Sequence, residues 1–530
     1  MGAPALALTS RAAQHDLIIR GGNVIDGTGT AAAEMDVAVD GGRIAAVARR
    51  IADKGTVEID ARGLAVAPGF IDIHSHADGS LFSDPRAESV IRQGVTTIVV
   101  GQDGGSRFPS RRSDDDEGGY GSYAALAAAI DRLPSSVNVA SMIGLGSIRG
   151  QVVGLDDRPA TADEVRRMTA LVRDAVASGA CGASSGLEYT PGAFASRAEL
   201  AALCAPLAAA RLPYATHMRN EDDRLLDAID ESIEVARLAR CPLQISHLKT
   251  QGPRNWSKLD DVFRRIDDAR KGGMDIAFDR YPYVAYQTGL TNLFPVWSRD
   301  GGTAAFLRRL DDTATADRIR RETLAKVELI GGWDNVLISG VGRGGDATAE
   351  GKRLGGYAAS RSADPYATAV ALLRAGNGNI GMVGFAMSED NLERILAHPL
   401  GMVCSDGGGF ATDGPARRGH PHPRGLGTFP RVLGRYVRER KALSLEQAVR
   451  KMSALPASRI RLGDRGRIAR GFAADIVVFD PATVADKATF EEPFQYPEGM
   501  RAVVVNGAIA FRDGQRAGTG AGKALRPTYR

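Results

Sequence analysis

The sequence predicts an α/β protein in which a barrel of parallel strands is joined to a small β-domain built from both chain ends. The middle of the 530-residue chain alternates short apolar runs, typical of buried strands, with stretches of helical periodicity. Both ends are instead rich in short strand-like runs separated by glycine turns. Two histidines, His74 and His76, directly follow the first buried run of the middle region. These observations define three segments.

The β-domain is expected to combine residues 1–66 with residues 461–530. After an irregular start over residues 1–14, strand-like runs begin at Leu17 and are separated by Gly21-Gly22 and by the hairpin turn Asp40-Gly41-Gly42. The C-terminal segment has matching runs that end at Phe479 and Val505. Strands at both ends of a long middle region suggest one domain assembled from the two.

The barrel is expected over residues 67–460. Candidate strands lie at 97–100, 138–142, 183–185, 214–217, 243–247, 275–279 and 401–406. Residues 162–177 and 225–240 have the apolar spacing of outer helices. Residues 285–365 are less regular and are predicted to form an inserted subdomain or lid. Residues 104–122, rich in Gly, Ser and Asp, are predicted to form a loop near the site or on the surface.

Composition narrows the class of protein. With 44% hydrophobic and 25% charged residues the chain is typical of a globular protein, and its net charge of +4 is too small to indicate nucleic-acid binding. The four cysteines form no CxxC pair, which favours a reducing compartment. There is no secretory leader pattern and no apolar run of about 18 residues. We therefore expect a cytoplasmic protein without a membrane segment.

Four histidines indicate a metal site. His74 and His76 are two apart, so in extended backbone their side chains point to the same face. His217 and His247 each follow a strand-like run and lie about one strand and one helix apart, which places them on adjacent barrel strands. Each of these two alone is more often a packed core residue than a ligand. Together the four indicate a metal centre at one end of the barrel.

Asp406 is the candidate general base. It ends the apolar run that starts at Met402 and is followed by three glycines, which leave room around the carboxylate. A carboxylate beside a metal can take a proton from water and return it to a leaving amine. The alternative is an ordinary aspartate at the start of a loop.

The His-x-His motif resembles that of the amidohydrolase superfamily, which implies a (β/α)8 TIM-like barrel with a split β-sandwich domain and an active site on the C-terminal face. Seven further segments, spread between about residues 16 and 510, are similar to the N-acyl-D-amino-acid deacylase (D-aminoacylase) family. They are residues 94–101, 216–219, 246–249, 281–283, 405–407, 420–429 and 465–481.

The resemblance implies metal-dependent hydrolysis of the amide bond of N-acyl-D-amino acids, with one or two Zn²⁺ ions. His74 and His76 with Asp406 would form one metal position, and Asp103, His217 and His247 the other. Asp103 is a departure, because it stands in Gly101-Gln102-Asp103-Gly104 where the typical family member has Gly-Asn-Cys-Gly and a zinc-binding cysteine. A carboxylate also binds zinc, as a harder ligand, so Asp103 stays a predicted ligand.

The expected substrate is a small molecule with a free carboxylate, which the site must neutralise. The resemblance assigns this role to Lys249 and Tyr283. Arg424 would assist, or would bind an acidic side chain of the substrate as in some family members, or else would anchor its loop through a salt bridge. His420 and His422 are expected in loops and the pocket wall. The sequence leaves a homo-oligomer open.

Two alternatives remain at this point. The first is a related hydrolase of cyclic amides or dipeptides, of the hydantoinase, dihydroorotase or isoaspartyl-dipeptidase type, because one barrel hosts several chemistries. The second is a non-catalytic barrel, which we expect to have lost metal ligands. This sequence keeps every candidate ligand.

Overall fold

Eight parallel strands form a barrel in the middle of the chain. The computed structural model describes residues 14–109, 119–518 and 520–528. Each strand pairs in parallel with the next, from the first to the eighth. In chain order the strands are Phe70–Asp72, Val95–Val100, Asn138–Ser141 continued by Ile143–Gly144, Ala183–Gly186, Tyr214–His217, Leu243–Ile245, Ile276–Arg280 and Gly401–Val403. The predicted fold class is confirmed.

Hydrogen bonds just beyond the strands close the barrel between its eighth and first members. The amide of Asp406 donates to the carbonyl of His74 (2.8 Å), and the amide of His76 donates to the carbonyl of Gly407 (2.9 Å). The amide of Ser405 donates to the carboxylate of Asp72 at 2.8 Å. We call this contact the barrel seam.

Burial explains the composition of the barrel strands. The second strand, Val95–Val100, is buried at all six positions and consists of Val, Thr and Ile. Beta-branched residues pack well on a pleated surface, and parallel strands covered on both faces read as continuous apolar runs. The sequence therefore showed these strands as short apolar blocks.

Helices cover the outside of the barrel. Helix Ala162–Ala177 buries Met168, Val172 and Ala175, three or four residues apart, in the apolar core that also contains Ile143 and Ala183 of the strands. The helices are Asp78–Leu81, Glu88–Ile91, Tyr123–Arg132, Leu145–Val152, Ala162–Ala177, Arg197–Cys204, Leu207–Ala210, Leu225–Ala239, Leu259–Lys271, Gly302–Arg309, Thr313–Leu329, Leu354–Ala359, Pro365–Ala375, Glu389–Ala397, Arg424–Arg431, Leu445–Met452 and Ala454–Arg459. Within the described residues no helix is both long and apolar enough to span a bilayer.

Strands from both chain ends join in one nine-stranded sheet, as predicted for the small β-domain. The two groups meet where Ala65–Pro68 pairs with Ile476–Phe479. Side chains from both ends, such as Ile19, Val39 and Val504, share the apolar core of this sheet. Its strands are Gln14–Val24, Ala33–Asp40, Arg43–Ala48, Lys54–Asp60, Ala65–Pro68, Ile476–Phe479, Met500–Val505, Ala508–Arg512 and Gln515–Arg516. The predicted division of the chain at residues 66 and 460 stays a prediction.

The chain between the seventh and eighth barrel strands forms an additional layer. It contains a three-stranded antiparallel sheet made of Ala285–Gly289, Val336–Val341 and Ile380–Phe385. The third of these strands lies beyond residue 365, the predicted end of the insertion. The predicted loop at 104–122 and the predicted irregular start at 1–14 fall partly or mostly outside the described residues.

Candidate metal centre and cavity

The predicted histidines and aspartates converge at the carboxyl ends of the barrel strands. His74, His76, Asp103 and Asp406 have one donor atom each within 4.8 Å of one another, and so do Asp103, His217 and His247. Asp103 belongs to both groups. All six side chains come from loops that immediately follow strands, or from a strand's last residue, so the parallel sheet brings them to one edge.

Asp103 lies between two pairs of imidazoles. Its Oδ1 is 3.4 Å from His74 Nε2 and 3.5 Å from His247 Nε2. Its Oδ2 is 3.4 Å from His76 Nε2 and 3.8 Å from His217 Nδ1. Two ligands about 2.05 Å from a tetrahedral zinc ion are about 3.3 Å apart. The donor separations therefore fit bound metal.

Unpaired buried atoms support this fit. Within the described residues, both ring nitrogens of His74 and Oδ1 of Asp103 are buried and have no hydrogen-bond partner. Buried polar atoms are rarely left unpaired, and such atoms require an explanation. Lone pairs that face one another across about 3.4 Å, in a set of imidazoles and carboxylates, are the donors that zinc and related ions bind.

Three of these residues have left-handed backbone. The φ angles are 52° at Asp103, 36° at His247 and 49° at Asp406. A non-glycine residue in this region costs about 1–3 kcal/mol, and such strain clusters at functional sites. Here the turn after each strand directs the side chain toward the common centre.

A carboxylate lies close to the second ring nitrogen of three of the histidines. His74 Nδ1 is 3.5 Å from Asp279 Oδ1, His217 Nε2 is 3.5 Å from Glu188 Oε2, and His247 Nδ1 is 3.1 Å from Glu221 Oε1. In metalloproteins a carboxylate on the far ring nitrogen fixes the orientation of a ligating histidine. No such role was expected for Asp279, Glu188 or Glu221. Asp279 lies within the seventh barrel strand, Glu188 follows the fourth strand and Glu221 follows His217, but their contacts are not visible in the sequence.

The carboxylates also set the protonation of the histidines. Burial lowers the pKa of His76, but hydrogen bonds and charges from Asp103 and Asp406 outweigh it and raise that pKa to about 9. Burial also lowers the pKa of His217, but Glu221, Asp103 and Glu188 outweigh it and raise that pKa to about 10. The negative charge of the cluster thus attracts cations, whether protons or a metal.

Asp406 is held by both the cluster and an arginine. Its Oδ1 is 3.1 Å from His76 Nε2, and its Oδ2 accepts a hydrogen bond from Arg424 Nη1 at 2.7 Å. Burial raises the pKa of Asp406, but Arg424 and the histidines more than compensate and hold it below its ordinary value. The carboxylate is therefore ionised.

The donor set opens into a cavity of about 590 Å³. Lys249 and Arg424 line it, as predicted for groups that meet substrate. Both are already paired, because Lys249 Nζ donates to Glu221 Oε1 at 2.7 Å and Arg424 donates to Asp406. Residues from the inserted layer, including Gln287 and Asn292, complete the wall.

Tyr283 is not among the residues that line the cavity, and its ring packs on His422 and Phe490. Tyr281 lines the cavity instead, beneath the guanidinium of Arg424 at 4.7 Å from the ring centre. His422 is buried, its Nε2 donates to the Ala285 carbonyl at 3.0 Å, and it lies outside both the donor set and the residues that line the cavity. His420 bonds the carbonyl of Phe490 through Nε2 at 2.6 Å and also lies outside the donor set.

A barrel with clustered imidazoles and carboxylates at the carboxyl ends of its strands has the architecture of a metal-dependent hydrolase. Comparison with known proteins agrees. The model of the amidohydrolase family matches residues 57–321 and 403–511. A D-aminoacylase from Alcaligenes xylosoxydans xylosoxydans is 36% identical over 523 residues, covering 97% of this chain and 98% of that protein.

Two other relatives cover nearly the whole chain. An N-acyl-D-glutamate deacylase of the same organism is 36% identical over 509 residues, which is 94% of this chain and 93% of that protein. The crystal structure of N-acyl-D-glutamate deacylase from Bordetella bronchiseptica, complexed with zinc and a phosphonate inhibitor, is 34% identical. It superposes with a TM-score of 0.83 over 97% of this chain and 100% of that one. The protein belongs to the amidohydrolase family and, within it, to the D-aminoacylase group.

Proposed function

We propose that the protein hydrolyses the amide bond of N-acyl-D-amino acids to a carboxylate and a free D-amino acid, with zinc as the metal. The observation that carries the proposal is Asp103, whose carboxylate belongs both to the donor group of His74, His76 and Asp406 and to that of His217 and His247. Relatives named for this activity share almost the full length of the chain. Zinc is favoured by the nitrogen and oxygen donors and was present in a related crystal structure.

We assign six residues to the metal. His74, His76 and Asp406 would hold one ion, while His217 and His247 would hold the other, with Asp103 shared between them. When bound, the metal polarises the scissile carbonyl and lowers the pKa of water to about 7. Asp103 supplies negative charge in place of a thiolate.

Asp406 is assigned the proton transfers. Its ionised carboxylate, at the base of the cavity, accepts a proton from the attacking water and then donates it to the nitrogen of the leaving amine. Arg424, bonded to the other carboxylate oxygen, fixes its orientation. This orientation keeps the free oxygen toward His76 and the cavity.

The substrate carboxylate is assigned to the basic wall of the cavity. Lys249 lies there, with Arg424 beside it. We assign this role to Tyr281 rather than Tyr283. Tyr281 lies in the cavity wall between Lys249 and Arg424, with its ring centre 5.9 Å from Lys249 Nζ and 4.7 Å from the Arg424 guanidinium. Residues 285–365 would act as a cover, since Gln287 and Asn292 already form part of the wall. Selection of the D-enantiomer follows if the carboxylate, acyl group and side chain are fixed at three places.

The first test is release of free amine from matched N-acetyl-D- and N-acetyl-L-amino acids by zinc-loaded protein. We expect release from the D series only. Asp406→Asn should lower kcat by about 10²–10⁴-fold, the contribution typical of general acid–base catalysis. Metal content of the variant, measured alongside, separates loss of proton transfer from loss of an ion.

Two outcomes would contradict the proposal. Release from neither series by a metal-loaded protein would direct the search to cyclic amides and dipeptides. Unchanged kcat in Asp406→Asn would remove Asp406 from the chemistry while leaving the family assignment intact.

A further inference from the structure

A second cavity lies at the opposite, amino-terminal end of the barrel. Its volume is about 470 Å³, and it lies beside the first residues of the seventh and eighth barrel strands, Ile276 and Met402 among them. Five arginines line it. We call it the basal cleft, and its arginines are Arg211, Arg270, Arg450, Arg459 and Arg461.

Within the part of the chain that the structure describes, one of these arginines has a carboxylate partner. Arg459 Nη1 donates to Asp275 Oδ1 at 2.6 Å, and Asp275 is the one acidic residue of the cleft. Among the described residues, no carboxylate oxygen lies within 4.0 Å of a guanidinium nitrogen of the other four arginines, whereas Arg459 has such a partner. The Nε of Arg461 is buried and has no hydrogen-bond partner there either.

The excess of positive charge in the basal cleft is large for this molecule. The entire chain has a formal net charge of +4, and the cleft gathers five positive charges against one negative charge. Charges of one sign in a concave surface concentrate counter-ions of the other sign. The planar guanidinium group, with its fork of donors, matches the oxygens of phosphate and carboxylate groups.

Arg459 forms the inner wall of the cleft and is fixed there. It is 9% exposed, and its Nε donates to Gln244 Oε1 at 3.0 Å. Gln244 in turn donates to Asp279 Oδ2 at 2.6 Å inside the barrel. Arg459, fixed at the back of the cleft, and the four arginines without a carboxylate partner form a positively charged recess that can receive a ligand.

We propose that the basal cleft binds a small polyvalent oxyanion, with two or more phosphate or carboxylate groups held by Arg211, Arg270, Arg450 and Arg461. This site is separate from the amide-hydrolysing cavity, because it lies at the other end of the barrel strands. A ligand with two or more anionic groups can contact guanidinium groups that come from separate segments of the chain.

The test is titration of the zinc-loaded, full-length protein with inorganic pyrophosphate at constant ionic strength, followed by calorimetry and by thermal unfolding. We expect saturable binding and a rise in Tm, because a ligand bound only by the folded state stabilises it. A parallel titration with citrate distinguishes a phosphate ligand from a carboxylate ligand. Metal content after the titration shows that the anion has not removed the zinc.

The variant Arg211→Gln/Arg270→Gln locates the binding. These two arginines are exposed and lie away from the barrel interior. Arg459 is left unchanged because its side chain donates to Gln244 inside the barrel. We expect Kd to rise at least about 10-fold, equivalent to about 1.4 kcal/mol. The matched control is Arg167→Gln/Arg173→Gln, which removes the same charge from exposed positions of helix Ala162–Ala177.

The control should bind as tightly as the unaltered protein. Absence of saturable binding by either anion, unchanged Kd in Arg211→Gln/Arg270→Gln, or equal weakening in the two double variants would each overturn the proposal. Binding that persists in the cleft variant would place the anion elsewhere, for example at the zinc.

Discussion

Asp103 is the residue on which both candidate metal positions depend. Its two oxygens together lie within 3.8 Å of a nitrogen of each of four histidines. Asparagine has the same shape but no charge. The change to asparagine therefore isolates the electrostatic part of metal binding from the packing of the loop.

We expect Asp103→Asn to lose metal. Changes in groups that merely support a ligand already cost about 10–100-fold in affinity, so loss of a shared ligand should cost at least as much. Metal per chain after equilibration with a competing chelator measures this. Asp103→Cys is the matched control, since a thiolate is also a zinc ligand and should retain the ion. Full metal content in Asp103→Asn would show that the imidazoles and Asp406 suffice.

Lys249 and Glu221 form a buried ion pair at the cavity wall. Their side chains are both 3% exposed and 2.7 Å apart. Burial alone lowers the pKa of Lys249, and the charge of Glu221 reverses that shift and raises it. Removing one partner of a buried pair leaves an uncompensated charge, which costs about 3–5 kcal/mol.

Glu221→Gln should therefore lower the free energy of unfolding by about that amount, measured by urea denaturation. Glu221→Gln/Lys249→Met removes both charges and should recover part of the loss, because contacting residues are not additive. Lys249→Met alone completes the cycle, and a double variant less stable by the sum of the two single losses would show that the pair is not coupled.

The sequence could predict which residues of the site lie at strand ends, but it could not predict which side chains contact one another. The buried strands read as apolar blocks, so His74, His217 and Asp406 could be placed at one edge of the barrel. Tyr281 and Tyr283 are two apart on the turn that follows a strand, and only the path of that turn decides which one faces the cavity.

Contacts between loops could not be predicted from the sequence either. Lys249 meets Glu221 across two different loops, and neither residue type indicates the other from 28 positions away. Similarly, Arg424 could be placed near the site by resemblance, but its bond to Asp406 depends on a helix that begins at residue 424.

Among the helices, Ala162–Ala177 has an N-terminus that is sensitive to acid. Thr161 and Glu164 form a capping box, and Glu164 also accepts a hydrogen bond from Arg158 at 2.6 Å. The bond to Arg158, followed by the bond from the Thr161 amide, lowers the pKa of Glu164 to about 2. Because the folded state holds the proton less tightly than the unfolded chain, whose glutamate has a pKa of about 4.3, stability is lost as acid is added.

We expect the loss to fall between about pH 4.5 and pH 2. Glu164→Gln keeps the capping geometry and removes the charge, so its Tm should lie below that of the unaltered protein at pH 7 and converge with it near pH 2. The measurement is Tm against pH for both proteins. A constant difference in Tm across this range would mean that the charge of Glu164 does not contribute.

For the whole molecule, metal should act as a stabilising ligand. The donor cluster exists only in the folded chain, because its six residues are spread over more than 300 positions of the sequence. A ligand bound only by the folded state contributes about 4 kcal/mol when its free concentration is a thousandfold above Kd. Chelation should lower Tm, and zinc should restore it in a concentration-dependent way. A Tm that is the same with and without metal would argue that the cluster does not bind the ion.

The barrel seam also limits how the site can be redesigned. The two backbone-to-backbone hydrogen bonds of the seam join His74, His76, Asp406 and Gly407, and three of these four residues also supply candidate ligand side chains. Lengthening or shortening the loop after the eighth strand, to accommodate a larger ion or a new leaving group, would shift these hydrogen bonds at the same time. Variation in the reaction is therefore easier to introduce through the inserted layer and the loops that carry Glu188 and Glu221 than through the segments that close the barrel.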